Sequence, residues 1–340
     1  MTQGRSSATG TGELVEMTYR KAISRAIADE MATDERVVLL GEDVAAAGGA
    51  FKTTEGLHGA FGHRVRDTPI AEQAIVGMAI GAALMGMRPV AEVMFADFAG
   101  VCYDQLVNSL AKYRYTTGGQ ANVPVTVRMA NGAGVGFGPQ HSQQAENWFI
   151  NVPGLKLVVP ATVEDLYGLL RSAVRDDDPA LVFEHKGLFN LKGNLPAEPD
   201  DSFLVPLGRA AVVRPGDAVT VVATQLMRHR AVEAAVQLAE RGIEVEVIDP
   251  RTLVPFDDAT VTASLARTSR LLVVQEGPPD GGWGASLVAR VCTQNFDLLD
   301  APPVLLASDA TPVPYAAAME DAWLPTSERI VTEVTRLVEF

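Results

Sequence analysis

Glu72 stands at the start of a long uncharged segment and is the first residue that could do chemistry. No charged residue lies between Glu72 and Arg88, and residues 74–87 are all apolar or glycine. A carboxyl group at the edge of a dry wall loses hydration, which raises its pKa above the free value of about 4.3. Such a group can share a proton with a ring nitrogen of a bound cofactor. An acid in the first turn of a helix is also stabilised by the helix dipole, so both interpretations stay open on the residues alone.

His141 is the second candidate, because it follows a glycine-rich loop. The loop reads GAGVGFGPQHSQ, with glycines alternating at 132, 134, 136 and 138. It follows a predicted strand, and ligands enter parallel sheets at the carboxyl ends of the strands. A histidine there can transfer protons near neutral pH, although a surface histidine would look the same in the sequence.

The sequence lacks the residue patterns of several common binding sites and catalytic sites. The dinucleotide fingerprint needs its third glycine three residues after the second, at a helix start, and the alternating loop does not provide it. No phosphate-binding loop and no nucleophile elbow occurs, and Ser142 is too close to His141 to imply a triad. Cys102 and Cys292 have no second cysteine or histidine nearby, so they predict no disulfide, zinc or iron–sulfur site.

Strands and helices alternate along the chain and must bring these residues together. Apolar spacing predicts a helix from Thr18 and another from about Pro69 to Met87, capped by Thr68 with Pro69 at its first position. The predicted strands are 37–41, 89–95, 124–130, 155–160, 180–185, 218–224, 243–250 and 270–276. The further helices are 101–115, 163–177, 229–242, 257–269, 285–296 and 327–340. The alternation predicts an α/β fold of doubly wound, mostly parallel sheets.

The alternation is interrupted once, which predicts two domains. Residues 1–16 are polar and read as a disordered tail, 17–187 form a first domain, 188–207 a linker, and 208–340 a second domain. The segment around the linker holds three prolines and few apolar residues at any regular period, which is typical of a connection.

The charge and composition of the chain argue against several classes of partner and location. The chain has 340 residues and a formal net charge of −14, from 28 basic and 42 acidic residues, and its basic residues form no cluster. We therefore expect neither a nucleic-acid partner nor an anionic membrane surface. No apolar run reaches the roughly 20 residues needed to cross a bilayer, and the start lacks a secretory apolar segment. With two isolated cysteines, these features favour a reducing compartment, the cytoplasm.

Several stretches resemble the β chain of thiamine-diphosphate-dependent 2-oxo acid dehydrogenases, the decarboxylating component of pyruvate, branched-chain and acetoin dehydrogenase complexes. The resemblance lies in LGEDV, DTPIAEQAIVGMAIGAALMGMRPVAEVMFADF, DQLVNSLAKYRY, QHSQ, PGLKLVVP and VIDPRTLVPFD, and extends over roughly residues 17–340. It implies a transketolase-like architecture. The first domain would bind the aminopyrimidine of the cofactor, and the second would be the transketolase C-terminal-like domain.

The resemblance implies a role for each matching residue. Glu72 matches the glutamate that hydrogen-bonds a pyrimidine nitrogen, so that the cofactor's own imine removes the proton from the thiazolium carbon. His141 matches a histidine used for proton transfer or orientation. Phe98 matches an aromatic residue that packs on the pyrimidine. Neighbours of the same cofactor pocket are Glu42, Ile70 and Met94.

The resemblance also implies partners. In the family an α chain holds the diphosphate and its magnesium through a motif that begins Gly-Asp-Gly and ends in asparagine. Here Gly-Asp occurs only at 216–217, and no asparagine lies between Asn194 and Asn295. We expect assembly of two α and two β chains, and contact with a lipoyl acyltransferase component.

Some relatives hold a structural potassium ion in the β chain. The matching positions are Val125, Ala173, Val174, Asp176 and Asp178. Carbonyl and carboxylate oxygens suit such a hard cation, while a solvated acidic turn, RDDDP, explains the same residues without a metal.

These features predict the β subunit of an enzyme that decarboxylates a 2-oxo acid, or cleaves acetoin, and acylates lipoamide. Two alternatives remain. The first is a two-chain transketolase-like ligase that forms carbon–carbon bonds without lipoamide. The second is a non-catalytic subunit that only binds a partner, which the presence of both Glu72 and His141 disfavours.

Overall fold

The computed structural model describes residues 13–340. The strands are β1 Leu14–Thr18, β2 Val37–Gly41, β3 Val65–Asp67, β4 Arg88–Phe95, β5 Thr126–Asn131, β6 Lys156–Val158, β7 Ala180–His185, β8 Lys192–Pro196, β9 Ala211–Arg214, β10 Val219–Ala223, β11 Val245–Asp249, β12 Thr252–Val254, β13 Leu271–Val274 and β14 Val304–Leu306. The α-helices are α1 Tyr19–Thr33, α2 Leu57–Phe61, α3 Glu72–Leu84, α4 Tyr113–Thr116, α5 Val163–Arg175, α6 Gln225–Ala239, α7 Asp258–Thr268, α8 Trp283–Gln294, α9 Ala317–Trp323 and α10 Ser327–Glu339.

The first sheet has seven strands in the order β12-β6-β7-β5-β4-β2-β3. Its strands pair in parallel except β12, which comes from the second half of the chain and runs antiparallel to β6. The carboxyl ends of β2, β4, β5 and β7 therefore meet at one edge, where ligands of such sheets bind.

Helices cover both faces of this sheet, as its apolar strands require. On one face, Ile75, Val76 and Ala79 of α3 pack in one buried cluster with residues of β4 and β5. On the other face, α1 and α5 pack together in a second buried cluster with Val37 and Leu39. Parallel strands that are buried on both sides are rigid supports for the loops at their carboxyl ends.

The second sheet has five strands in the order β14-β13-β10-β11-β9. Only β9 runs antiparallel to its neighbour, β11. Helices α6 and α10 bury apolar residues such as Ala234 and Val334 on one face, and α7 and α8 bury Leu265 and Leu287 on the other. The expected α/β architecture with mostly parallel sheets is confirmed.

The expected tail and linker contain paired strands. β1 runs antiparallel to β8, with Leu14 opposite Pro196 and Thr18 opposite Lys192. Residues 14–16, assigned above to a disordered tail, thus form a strand, and the predicted linker 188–207 includes its partner. Backbone hydrogen bonds hold this ribbon without any periodic apolar pattern, so composition did not reveal it. Residues 1–12 lie outside the described part of the chain.

Two predicted helices differ in the structure. Helix α3 begins at Glu72 after an N-cap at Ala71, and does not begin at Pro69. Thr68 lies three residues before this N-cap and does not cap the helix: its hydroxyl donates to Pro69 O, and its backbone N–H donates to Gly41 O at 2.9 Å at the end of β2. The segment predicted as a helix over 101–115 is broken into a π-helix at Gln105–Leu110 and the short α4.

In residues 13–340, no helix is long and apolar enough to cross a membrane.

Candidate functional site

Glu72 and Glu42 lie at the carboxyl edge of the first sheet. Glu42 directly follows β2, and Glu72 is the first residue of α3. Glu72 is 8% exposed, whereas Glu42 is half-buried. Burial raises the pKa of Glu42, and the negative charges of Asp43 and Glu72 raise it further. These influences favour retention of a proton on Glu42.

Cys102 lies near the same carboxyl group. Burial and the charge of Glu72 together raise the pKa of the Cys102 thiol to about 12. The thiol is therefore neutral at ordinary pH and serves as apolar packing beside Glu72, not as a nucleophile.

Aromatic rings connect Phe98 to His141. The centroid of the His141 ring lies 4.7 Å from that of Phe95 and 5.5 Å from that of Phe98, both in edge-to-face geometry. Phe95 and Phe98 are themselves 5.4 Å apart, and Phe137 of the glycine-rich loop lies 5.7 Å from Phe95. The rings form an apolar cluster of tilted and edge-to-face contacts, and the His141 ring packs against it.

The remaining predicted pocket residues differ in exposure. Met94 is half-buried near the end of β4, four residues before Phe98. Ile70 is 76% exposed, just before α3. Of the predicted pocket residues, Ile70 is thus the one that the described chain leaves largely uncovered.

A buried charged triad, which the sequence reasoning missed, supports the same edge from below. The guanidinium of Arg128 donates to Glu92 Oε2 at 2.7 Å and to both oxygens of Glu184, at 2.7 and 2.8 Å. Burial raises the pKa of Glu184 to about 7, although Arg128 opposes this. The three residues stand on neighbouring strands β4, β5 and β7, so the triad fastens the strands that carry the site.

A second missed group surrounds the histidine loop. Asn131, the last residue of β5, donates through Nδ2 to Gln144 Oε1 at 3.1 Å and Glu146 Oε2 at 3.0 Å. Burial raises the pKa of Glu146 to about 8. The position of Asn131 directly before the glycine-rich loop was the available sequence signal. The contacts of the acids could not be read from it, because they depend on tertiary structure.

The oxygens expected to hold potassium already accept hydrogen bonds. Arg88 Nη1 donates to the carbonyls of Val174 and Asp176 at 3.1 and 3.0 Å, and Lys156 Nζ contacts the Asp176 carboxylate at 2.5 Å. Asp178 pairs with Arg114. The carbonyls of Val125 and Ala173 accept from backbone N–H groups. Protein cations occupy this region, so these residues do not fit an open potassium site, and no chemical step below uses the ion.

Two family models match most of the chain. The pyrimidine binding domain of transketolase matches residues 15–192, and the C-terminal domain of transketolase matches residues 208–330. Among solved structures, a split gene transketolase, described as an inactive β4 tetramer, superposes with a TM-score of 0.78 at 22% identity. It covers 95% of this chain and 99% of its own, and it supports the fold alone.

Curated relatives match over nearly the full length. The β subunit of acetoin:2,6-dichlorophenolindophenol oxidoreductase from Bacillus subtilis (strain 168) is 44% identical over 330 residues, which is 93% of this chain and 96% of the relative. The mitochondrial pyruvate dehydrogenase E1 component subunit beta-1 of Arabidopsis thaliana is 43% identical over 333 residues, 97% of this chain and 91% of the relative.

Proposed function

This chain belongs to the transketolase-like family of pyruvate and acetoin dehydrogenase β subunits, and on that premise we propose that it is the β half of a thiamine-diphosphate-dependent enzyme. The enzyme decarboxylates a 2-oxo acid or cleaves acetoin, and a second chain completes its site. The proposal rests on the contact between the Phe98 and His141 rings and on the position of Glu72 at the start of α3, all in segments that follow strands of one parallel sheet.

The residues at this edge fit the aminopyrimidine ring of thiamine diphosphate. When bound, that cofactor supplies the nucleophilic carbon and the electron sink for breaking a bond next to a carbonyl group. We assign to Glu72 the exchange of a proton with a pyrimidine ring nitrogen, because its side chain is buried and its charge acts on a second acid, Glu42. Phe98 offers an apolar face for the ring, with Met94 beside it and Ile70 at the rim.

His141 is proposed to act on the substrate side of the site. Its ring is half-buried and held edge-on against Phe95 and Phe98. An imidazole has one ring nitrogen that can donate and one that can accept, so His141 can hold or deliver a proton at the carbonyl oxygen of the substrate. The aromatic contacts restrict its orientation without consuming a ring nitrogen.

The diphosphate and its magnesium are proposed to bind the α chain. The glycine-rich loop here does not offer a phosphate cradle, because the N–H groups of Gly134 and Gly136 already donate to the Glu320 carboxylate at 2.8 and 2.9 Å. In this division of labour, residues 17–187 hold the pyrimidine, and 208–340 form the C-terminal domain that braces the site. The assembly would contain two α and two β chains.

The acceptor and the location are also proposals. We propose that the acyl group passes to a lipoyl acyltransferase component, as in dehydrogenase complexes, and that the enzyme works in the cytoplasm. Both described cysteines are free, with Cys102 buried and Cys292 exposed, which suits a reducing compartment. The proposal includes no potassium ion at Val125, Ala173, Val174, Asp176 and Asp178, because Arg88 and Lys156 already contact oxygens of this group.

The test uses the chain reconstituted with its α subunit, assayed with a dichlorophenolindophenol dye and then with a lipoyl domain. We expect Glu72→Gln to lower kcat by at least about 100-fold, or roughly 2.7 kcal/mol in barrier. Glu240→Gln, at an exposed acid at the end of α6 in the second half of the chain, is the matched control. Activity of Glu72→Gln within about tenfold of the unmodified enzyme would reject the catalytic assignment. Product formation without either acceptor would instead favour the carbon–carbon ligase.

A further inference from the structure

The glycine-rich loop that leads to His141 is held by two carboxylates from the second half of the chain. Glu320, in α9, accepts from Gly134 N–H through Oε1 and from Gly136 N–H through Oε2. Both glycines have φ in the left-handed region, at 92° and 74°. Alternating glycines thus let successive N–H groups point toward one acid, which explains their spacing.

Glu276 holds the base of the same loop. Its Oε1 accepts from Ala133 N–H at 2.6 Å and from the amide of Gln144, and its Oε2 lies 2.8 Å from His185 Nε2. Burial alone would raise the pKa of Glu276, but the charge and hydrogen bond of His185 lower it overall, with Ala133 N–H and Lys186 contributing. An ionised carboxylate is the stronger acceptor for these donors.

Lys186 balances the charge of these acids. It is 5% exposed, and in residues 13–340 no acceptor reaches its Nζ. Burial lowers its pKa to about 8, while Asp97, Glu276 and Glu320 act in the opposite direction. Its ammonium lies 5.7 Å from the ring centroid of Phe95, the ring that also contacts His141. The positive charge therefore sits between the two acids and the aromatic cluster.

The far end of the loop is held by packing. A side-chain carbon on Gly138 would overlap the ring of Tyr315, so the loop passes tightly under that ring. His141 lies three residues further on, and its N–H donates to Gly138 O at 3.3 Å. The loop is thus fixed at its base, middle and end before it reaches the histidine.

We propose that Glu320 and Glu276 are positioning residues for His141. They hold the loop in the one conformation that sets the imidazole against Phe95 and Phe98, and they act on the reaction only through that ring. This inference rests on the proposed function above. It assigns the second domain a direct task in arranging the substrate side of the site.

The experiment uses the reconstituted αβ enzyme with Glu320→Gln, which keeps the shape but replaces one of the two acceptor oxygens by a donor. We expect kcat to fall by roughly 10- to 100-fold, because a misplacement of about 1 Å costs about that much. We expect Glu320→Asp, which keeps the charge, to recover part of the loss. Asp321→Asn, an exposed neighbour, is the matched control and should match the unmodified enzyme.

A double-mutant cycle separates positioning from a general structural role. If Glu320 acts through His141, Glu320→Gln combined with His141→Ala should be no slower than His141→Ala alone. Fully additive losses, or an unchanged kcat in Glu320→Gln, would overturn the inference. Hydrogen exchange of residues 133–138 should be faster in Glu320→Gln, and this readout needs no activity. An unmodified enzyme that is inactive in every assay would count against the proposed function. Unchanged hydrogen exchange of residues 133–138 in Glu320→Gln would instead count against the role of Glu320 in holding the loop.

Discussion

Single carboxyl groups in this molecule differ in what their surroundings do to them. Glu42 follows β2 at the site edge, and its pKa is raised by burial and by the charges of Asp43 and Glu72. Glu276 is buried too, yet its pKa is lowered, because His185 and a backbone N–H offset the burial. Glu42 is therefore suited to hold a proton, and Glu276 is suited to accept hydrogen bonds. The same residue type serves two purposes within one site.

Glu146 gives a prediction at this scale. Burial raises its pKa from 4.5 to about 8 in the folded chain. Below about pH 4.5 the carboxyl group of Glu146 is protonated in both the folded and the unfolded chain. Between about pH 4.5 and pH 8 it releases its proton only in the unfolded chain. Its contribution to stability is thus present at low pH and lost as pH rises toward 8. We expect the melting temperature to fall between pH 6 and pH 8, and the fall to be smaller in Glu146→Gln.

Calorimetric melting of both proteins at several pH values checks this. Between pH 6 and pH 8, the free energy of unfolding of the unmodified protein should fall by roughly 1 to 3 kcal/mol more than that of Glu146→Gln. Glu240→Gln, at an exposed helix end, serves as the control and should follow the unmodified protein. Parallel curves for Glu146→Gln and the unmodified protein would contradict the assignment of a protonated Glu146.

At the scale of elements, the buried parallel strands were the most predictable part. Strands such as β2, β10 and β13 are short, largely apolar runs with turn residues around them, and the structure places strands there. The pairing of β1 with β8, and of β12 with β6, could not be predicted, because each joins segments distant in sequence through backbone hydrogen bonds. Local pattern predicts an element, but not its partner.

The candidate site was likewise predictable only where local sequence determines it. Glu72 and His141 lie beside strand ends and were predictable from position and resemblance. Glu276 and Glu320 were not, since their role depends on donors about 140 and 180 residues away along the chain. The start of α3 was misplaced for a related reason, because Thr68 continues the β2 hydrogen bonding and does not cap the helix. Tertiary hydrogen bonds there outweigh local capping preference.

The exposed face of α3 gives a prediction at the element scale. Gly77 and Gly81 lie on one side of the helix, and a side-chain carbon at either would meet no atom within 4 Å. Gly81→Leu should leave the isolated chain as stable or more stable by about 0.5 to 1 kcal/mol, because leucine favours helix over glycine. We expect the same change to prevent assembly with the α subunit, because a helix that begins at Glu72 must be covered for the site to close.

Sedimentation velocity of mixed chains measures this assembly. Gly59→Leu in α2 is the matched control, since its side chain would also meet no atom within 4 Å. It should assemble normally. If Gly81→Leu assembles as well as the control, the face of α3 is not covered by the α subunit.

At the scale of the whole molecule, the two sheets are joined by polar groups as much as by apolar ones. His229 Nε2 lies 2.7 Å from the carbonyl oxygen of Ala161, and Arg251 contacts Asp165 at 2.6 Å. Glu276 and His185 form another such pair across the same junction. Directional contacts of this kind fix the relative orientation of the two halves. Glu276 and Glu320 need that fixed orientation to hold the glycine-rich loop that leads to His141.

The last prediction concerns what this chain can do alone. It carries the acids and rings for the pyrimidine, but the N–H groups of its glycine-rich loop are already engaged by Glu320, and Gly-Asp occurs only before β10. We therefore expect the isolated chain to bind thiamine diphosphate with magnesium at least about 100-fold more weakly than the αβ enzyme, or roughly 2.7 kcal/mol. Titration calorimetry measures the affinities, and light scattering measures the mass, which should contain two chains of 36.1 kDa and two α chains. Equal cofactor affinity with and without the α subunit would show that the diphosphate site lies on this chain, and the division of the site between subunits would then be wrong.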